Sequence, residues 1–119
     1  WTSNLERTII DALDRPDLTG GLLEIARGIW LVKTKLKTPK LIDYAVRFHS
    51  FAASKRLGFI IEKWGIGTSA EIQKLNKSVV KSTSYALLDP TRDLQGRYLS
   101  RWRLRLNLDP GELERNLMT

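Results

Sequence analysis

The chain has no cysteine among its 119 residues, which excludes disulfides, thiolate metal sites and a cysteine nucleophile. That absence fits a reducing compartment, and the expected location is the cytoplasm. Histidine is reduced to His49 alone. It follows an aromatic residue at a helix junction and has no evident carboxylate or nucleophile partner, so it reads as a packed or surface histidine rather than a catalytic one. No G-x-G-x-x-G, Walker-type or G-x-S-x-G pattern occurs, and Gly20-Gly21 reads as a turn. Charges interrupt every apolar stretch within about ten positions, well short of the roughly 18 residues a membrane span needs. The first residues lack the charged-then-apolar pattern of a signal peptide. The chain opens on Trp1 rather than Met, so a fragment of a longer protein is expected. No cofactor and no metal are implied.

Hydrophobic residues make up 42% and charged residues 28%, the composition of an ordinary globular protein, and the length suits a single domain over residues 1–119. About two thirds of the unfolded chain's surface could be buried at this size. Twenty Lys and Arg face thirteen Asp and Glu, giving +7, and the excess is regional: residues 1–32 carry a balance of −2, residues 33–119 one of +9. Such clustering is expected of a nucleic-acid binder or of a protein that meets an acidic partner, and a well-solvated surface is the plain alternative.

Helical patterns fill the first 80 residues. Ser3-Asn4-Leu5-Glu6 has the form of a capping box, and Leu5, Ile9, Ala12 and Leu13 continue at helical spacing until Pro16. Leu22, Ile25, Ala26, Ile29 and Trp30 mark a second helix. Thr38-Pro39 offers a cap followed by proline at the first helical position, opening a third helix through Leu41, Ile42, Ala45, Val46 and Phe48. Ala53, Leu57, Ile60, Ile61 and Trp64 draw a fourth, ended by Gly65 in a left-handed conformation. Thr68-Ser69-Ala70-Glu71 is a second capping box, before a fifth helix carried by Ile72, Leu75 and Val79.

Thr83 to Leu88 is then β-branched, aromatic and aliphatic, closed by Asp89-Pro90 in a turn-like stretch to Gly96. From Tyr98 the period is two: Tyr98, Ser100, Trp102, Leu104, Leu106 and Leu108 alternate with Leu99, Arg101, Arg103, Arg105 and Asn107, which predicts one strand with a wet face. The expected fold is α+β, about five helices packed on a small antiparallel sheet formed mainly by the C-terminal strands.

On that strand Arg101, Arg103 and Arg105, with Arg97 in phase, would project at roughly 6.5 to 7 Å intervals. A row of guanidiniums could grip successive phosphates or a line of carboxylates. Its bland counterpart is charge that protects an edge from pairing. Lys33, Lys35, Lys37 and Lys40 form a second basic cluster and Lys74, Lys77 and Lys81 a third, partly explained by the helix dipole. Asp11 and Asp14 share a helix face, but Asp14 beside Arg15 reads as a local pair, and two carboxylates make a poor metal site. The four tryptophans read as core or interface anchors.

The run Glu6-Arg7-Thr8-Ile9-Ile10-Asp11-Ala12-Leu13-Asp14-Arg15-Pro16 with Gly20-Gly21 resembles the opening of the C-terminal domain of AbiEi-type abortive-infection antitoxins. Arg56-Leu57-Gly58-Phe59-Ile60-Ile61-Glu62 resembles that family's arginine-leucine-glycine helix, and the arginine-rich close fits the same picture. The resemblance spans most of the chain. It implies a transcriptional regulator and antitoxin of a toxin–antitoxin system, in which a preceding winged helix, missing here, binds operator DNA and represses the operon. The partner gene encodes a nucleotidyltransferase-like toxin, which this domain is associated with neutralising, directly or by separate action. Glu6, Arg7 and Asp11 match the opening motif without a role beyond fixing the first helix.

The first expectation is therefore a non-enzymatic antitoxin domain whose Arg97, Arg101, Arg103, Arg105, Lys33, Lys35 and Lys37 contact DNA or an acidic surface, with a homodimer among the assemblies allowed. The second is a protein-interaction module that binds an acidic protein partner without DNA contact, its choice set by an exposed Trp102 or Trp64. The third is a nuclease or nucleotidyltransferase fragment that uses Asp11 and Asp14.

Overall fold

The computed structural model describes residues 4–48 and 50–117, so Ser3 and His49 lie outside the described residues. The fold is α+β. Five helices follow the pattern in the sequence: α1 (Asn4–Asp14), α2 (Leu22–Val32), α3 (Thr38–Arg47), α4 (Phe51–Trp64) and α5 (Ser69–Val79), with a 3-10 turn at Pro16–Leu18. Each has one apolar stripe; those of α1, α3 and α5 meet on α4, whose Ala53, Leu57 and Ile60 have no exposed surface, and α2 packs on α1. Burying one leucine of this kind stabilises by about 1.5–3 kcal/mol.

The end signals act as the side chains dictate. Ser50 Oγ accepts the Ala53 N–H at 3.3 Å to start α4, and Gly65 ends that helix at φ 65°. At α5, Thr68 Oγ1 accepts from Glu71 N at 3.2 Å and Glu71 Oε1 accepts from Thr68 N at 2.8 Å, a complete capping box. Thr38 differs from expectation. The cap position of α3 is Lys37, and the Thr38 hydroxyl instead donates to Glu71 at 3.0 Å, joining the starts of α3 and α5. Glu6 Oε2 accepts the Lys37 N–H at 3.2 Å, anchoring the same corner to α1.

There are six α-helices among the described residues rather than about five. The sixth, α6 (Gly111–Leu117), follows Asp109-Pro110. Asp109 Oδ1 accepts from Gly111 N at 3.1 Å, the aspartate-then-proline opening that a helix start favours. It buries Leu113, and Asn116 donates to the Leu23 carbonyl of α2 at 3.2 Å.

The sheet departs most from expectation. It is mixed, not antiparallel, with three strands: β1 (Ala86–Leu87), β2 (Arg97–Leu99) and β3 (Leu104–Leu106), in the order β1-β3-β2, β1 parallel and β2 antiparallel to β3. The single long strand expected from Tyr98 is folded back on itself at Ser100–Arg103, where Arg103 N donates to Ser100 O at 3.3 Å and Arg103 sits at φ 52°. That turn drives Trp102 into the core. Its ring rests on Gly58 of α4, where even an added Cβ would come within 2.1 Å of the ring.

Buried polar groups fasten the sheet to the helices. Arg56, 5% exposed, donates to Leu13 O at the end of α1 at 2.7 Å and to Leu87 O of β1 at 3.0 Å. Asn107 Nδ2 donates to Asp89 O at 2.7 Å and to Asp93 O at 3.1 Å, and its Oδ1 accepts from Asp89 N at 3.0 Å, so one amide holds the β1–β2 loop. These bonds satisfy groups whose burial would otherwise cost about 1–3 kcal/mol each.

Candidate nucleic-acid interface

The turn at Ser100–Arg103 decides which arginines share a face. In the register, Tyr98 pairs with Arg105 and Leu99 with Leu104. Residues paired directly across a sheet point the same way, so Tyr98 and Arg105 stand together on the face away from the core, while Leu104 and Leu106 point inward. Leu87 of β1 pairs with Arg105, which places it on the outer face too. Tyr85, just before β1, meets Tyr98 there, with ring centroids 5.2 Å apart at 84°. The Arg105 guanidinium lies 5.0 Å from the Tyr98 centroid while its Nε donates to Gly96 O at 3.0 Å. Gly96 is required: at φ 97° an added Cβ would lie 2.0 Å from Leu106 O.

The row of four arginines therefore does not exist. Arg101 lies in the turn, where its Nε donates to Glu62 Oε1 at 2.8 Å and its guanidinium closes a salt bridge on the same carboxylate. Trp102 Nε1 donates to that carboxylate at 2.8 Å. The Arg101 bonds, then the Trp102 bond, hold the Glu62 carboxyl below the usual carboxylate range. Arg97 pairs with Leu106 in the phase of the inward residues and stays exposed at the end of β2.

Arg103 and Arg105 remain on the outer side with a third cation beneath them. Arg103 Nε donates to Ser82 O at 3.2 Å. Lys55, 2% exposed on α4, donates to Ser82 Oγ at 3.0 Å and to Ser84 O at 2.9 Å. Burial lowers its pKa from the ordinary lysine value, and the positive charges of Arg103 and Arg56 push the same way. Among the described residues no carboxylate lies within 4.0 Å of Lys55, Arg97, Arg103 or Arg105. Other arginines are neutralised: Arg15 by Asp17 at 3.0 Å, Arg92 by Glu112 at 3.1 Å, Arg115 by Asp109 at 2.9 Å.

Lys33, Lys35 and Lys37 are elsewhere. Lys33 Nζ sits 3.7 Å from the Trp30 ring centroid and donates to Trp30 O at 3.3 Å, and Lys35 and Lys37 are exposed. Lys37 is held at Glu6 and β1 at Leu13, so the two clusters lie at opposite ends of α1, roughly 10 Å apart along its axis.

Three further expectations change. Trp102 is fully buried, so it is no exposed anchor for a partner. Trp64 is half-buried, 5.3 Å edge-to-face with Trp30, and donates to Glu114 at 3.0 Å. Asp14 forms no salt bridge with Arg15; it accepts a hydrogen bond from Ser50, and Arg15 turns to Asp17 at 3.0 Å. Asp11 is exposed, and among the described residues no three His, Asp or Glu side chains gather as metal ligands would. No helix among them is long and apolar enough to cross a membrane.

Tyr85 and Tyr98 belong to this surface and Lys55 lies buried beneath it, none of them a candidate from the sequence. A continuous strand puts Tyr98 and Arg105 on opposite faces; only the turn, which carries no glycine, proline or asparagine, reverses that phase. The chain matches no protein-family model, no curated protein and no solved structure.

Proposed function

We propose that this chain is a non-enzymatic, cytoplasmic nucleic-acid-binding domain of a regulator, acting as the antitoxin of a toxin–antitoxin pair, with the outer sheet face as its contact to phosphates. The observation that carries the reading is Arg103 and Arg105 on the outer side, with buried Lys55 beneath them and Arg97 exposed at the strand end, none within 4.0 Å of a carboxylate among the described residues. Cations held in place without partners favour an anionic ligand, since they lose no ion pair when it binds. The Glu6–Pro16 and Arg56–Glu62 segments supply the antitoxin part of the proposal through their resemblance to AbiEi-type domains. In that setting the operator would be bound chiefly by a winged helix ahead of this chain, and the toxin opposed directly or by separate action. Glu6 and Arg56 act here as structural fasteners.

The test is a titration of the chain with its own upstream promoter duplex and an unrelated duplex, at two salt concentrations. Binding should weaken by about 0.9 log unit per log unit of salt for each phosphate contacted, and Arg103→Ser with Arg105→Ser should flatten that slope. A complex indifferent to salt, or none at all, overturns the reading.

A further inference from the structure

We propose that the outer face of the sheet takes a single-stranded nucleic acid, with bases stacked on Tyr98 and Tyr85 and the backbone held by Arg103 and Arg105. This rests on the phosphate-binding reading above and names the class of its ligand.

Exposure of the aromatics is the first argument. Tyr98 is 63% exposed and Tyr85 39%, although Trp102 and the neighbouring leucines of the same sheet are buried. Leu18, Leu31 and Leu94 are exposed as well, but Tyr85 and Tyr98 form a ring pair beside an arginine with no carboxylate partner, and such a pairing of apolar rings with a cation suits a ligand that is both flat and anionic. At 84° the two rings meet edge to face rather than stacked, and at 63% and 39% exposure they leave ring surface in water for a base.

Charge placement is the second. Arg105 is fixed by its Nε on Gly96 O, which aims the rest of its guanidinium outward beside Tyr98. Arg103 is fixed by Ser82 O and, through Nη1 at 2.8 Å, by Ser100 O. Adjacent strands are about 4.8 Å apart and alternate residues along a strand about 6.5–7 Å, so two cations and two rings fall within the reach of two successive nucleotides. Alternating aromatic and cationic side chains on an open sheet is the arrangement by which single strands are held without reading a duplex groove. A duplex hides its base faces and would engage the arginines alone.

The test uses the 119-residue chain and three fluorescent probes of equal length: oligo-dT, oligo-U and a DNA duplex, each titrated by anisotropy at low and moderate salt. Both single strands, or one of them, should bind more tightly than the duplex, and the better of dT and U names the sugar preferred. Tyr98→Ala should weaken single-strand binding about tenfold or more while barely moving duplex binding, and Tyr98→Phe should restore it, since stacking needs the ring and not the hydroxyl. Thermal melts of both variants check that the exposed position leaves folding intact. Equal affinity for all probes with no effect of Tyr98→Ala overturns the stacking proposal and leaves phosphate binding standing. Failure to bind any probe overturns both, and salt-sensitive capture of polyglutamate but of no nucleic acid reassigns the face to an acidic protein.

Discussion

The two faces of the three-stranded sheet are built from alternate residues of the same short segments, yet they do opposite things. Inward, Leu88, Leu104 and Trp102 have no solvent exposure, and the one polar atom of Trp102 is matched to Glu62. Outward, Tyr98 and Arg105 face water with no partner beyond each other, Tyr85 and a backbone carbonyl. The difference teaches that charge count alone says little about binding. Arg101 and Arg105 are four residues apart, but Arg101 is spent on Glu62 and braces the turn, whereas Arg105 remains free for an anion.

Substitutions inward should change stability and leave the chemistry of the outer face alone, and substitutions outward should do the reverse. The largest effect is expected from Trp102→Ala, which should lower the unfolding free energy by about 3–5 kcal/mol in urea denaturation. That is a large share of what a domain this size has. Gly58→Ala should cost about 1–3 kcal/mol by the same measurement, because its methyl collides with the Trp102 ring and overpacking outweighs the usual helix gain of alanine.

Glu62→Gln should cost about 1 kcal/mol near neutral pH by removing the charge from four hydrogen bonds, a value reduced because the group is partly exposed. Its sign with pH follows from the lowered carboxyl pKa, caused first by Arg101. The contribution is whole above the unfolded value of about 4.3 and is lost as pH falls through the lower folded value. Wild type and variant should therefore converge in stability in acid, measured by denaturation from pH 7 downward. The smallest stability change, within about 1 kcal/mol, is expected for Arg103→Ser with Arg105→Ser. The same variant should reduce the salt dependence of nucleic-acid binding by about 1.4 on a single strand, from two phosphate contacts at about 0.7 each, and by about 1.8 on a duplex at about 0.9 each. An Arg103→Ser/Arg105→Ser variant that bound normally but unfolded easily would erase the distinction between the faces.

Much of this was legible beforehand. The five helices through Val79 carry period-3.6 stripes with side-chain start signals, such as Thr68 with Glu71, that act locally and so can be read locally. The α+β class followed from the change of period after residue 82. What could not be read was the reversal at Ser100–Arg103, because Ser100 is its one turn-favouring residue, no glycine, proline or asparagine follows it, and the alternation of Arg with Leu and Trp runs through it unbroken. The turn is stabilised from a distance, by Asn76 of α5 donating to Arg101 O at 2.7 Å, by Glu62 and by the space above Gly58. The same error of phase hid Tyr98 beside Arg105. Lys55 was invisible for another reason: a lysine in an apolar stripe looks like solvent-side charge until Ser82 and Ser84 are seen beneath it.

Arg56 has a consequence for how the molecule comes apart. One guanidinium bonds to the last turn of α1 and to β1, the helix and the strand being 43 and 31 residues away in sequence. A protease cut between α5 and β1 would thus leave an uncompensated buried charge in one piece and a sheet with no floor in the other. Neither piece has grounds to stand alone. Amide hydrogens at the end of α1 and in β1 should exchange with solvent through one shared opening, so that the domain behaves as a single cooperative unit whose beginning and end are lost together.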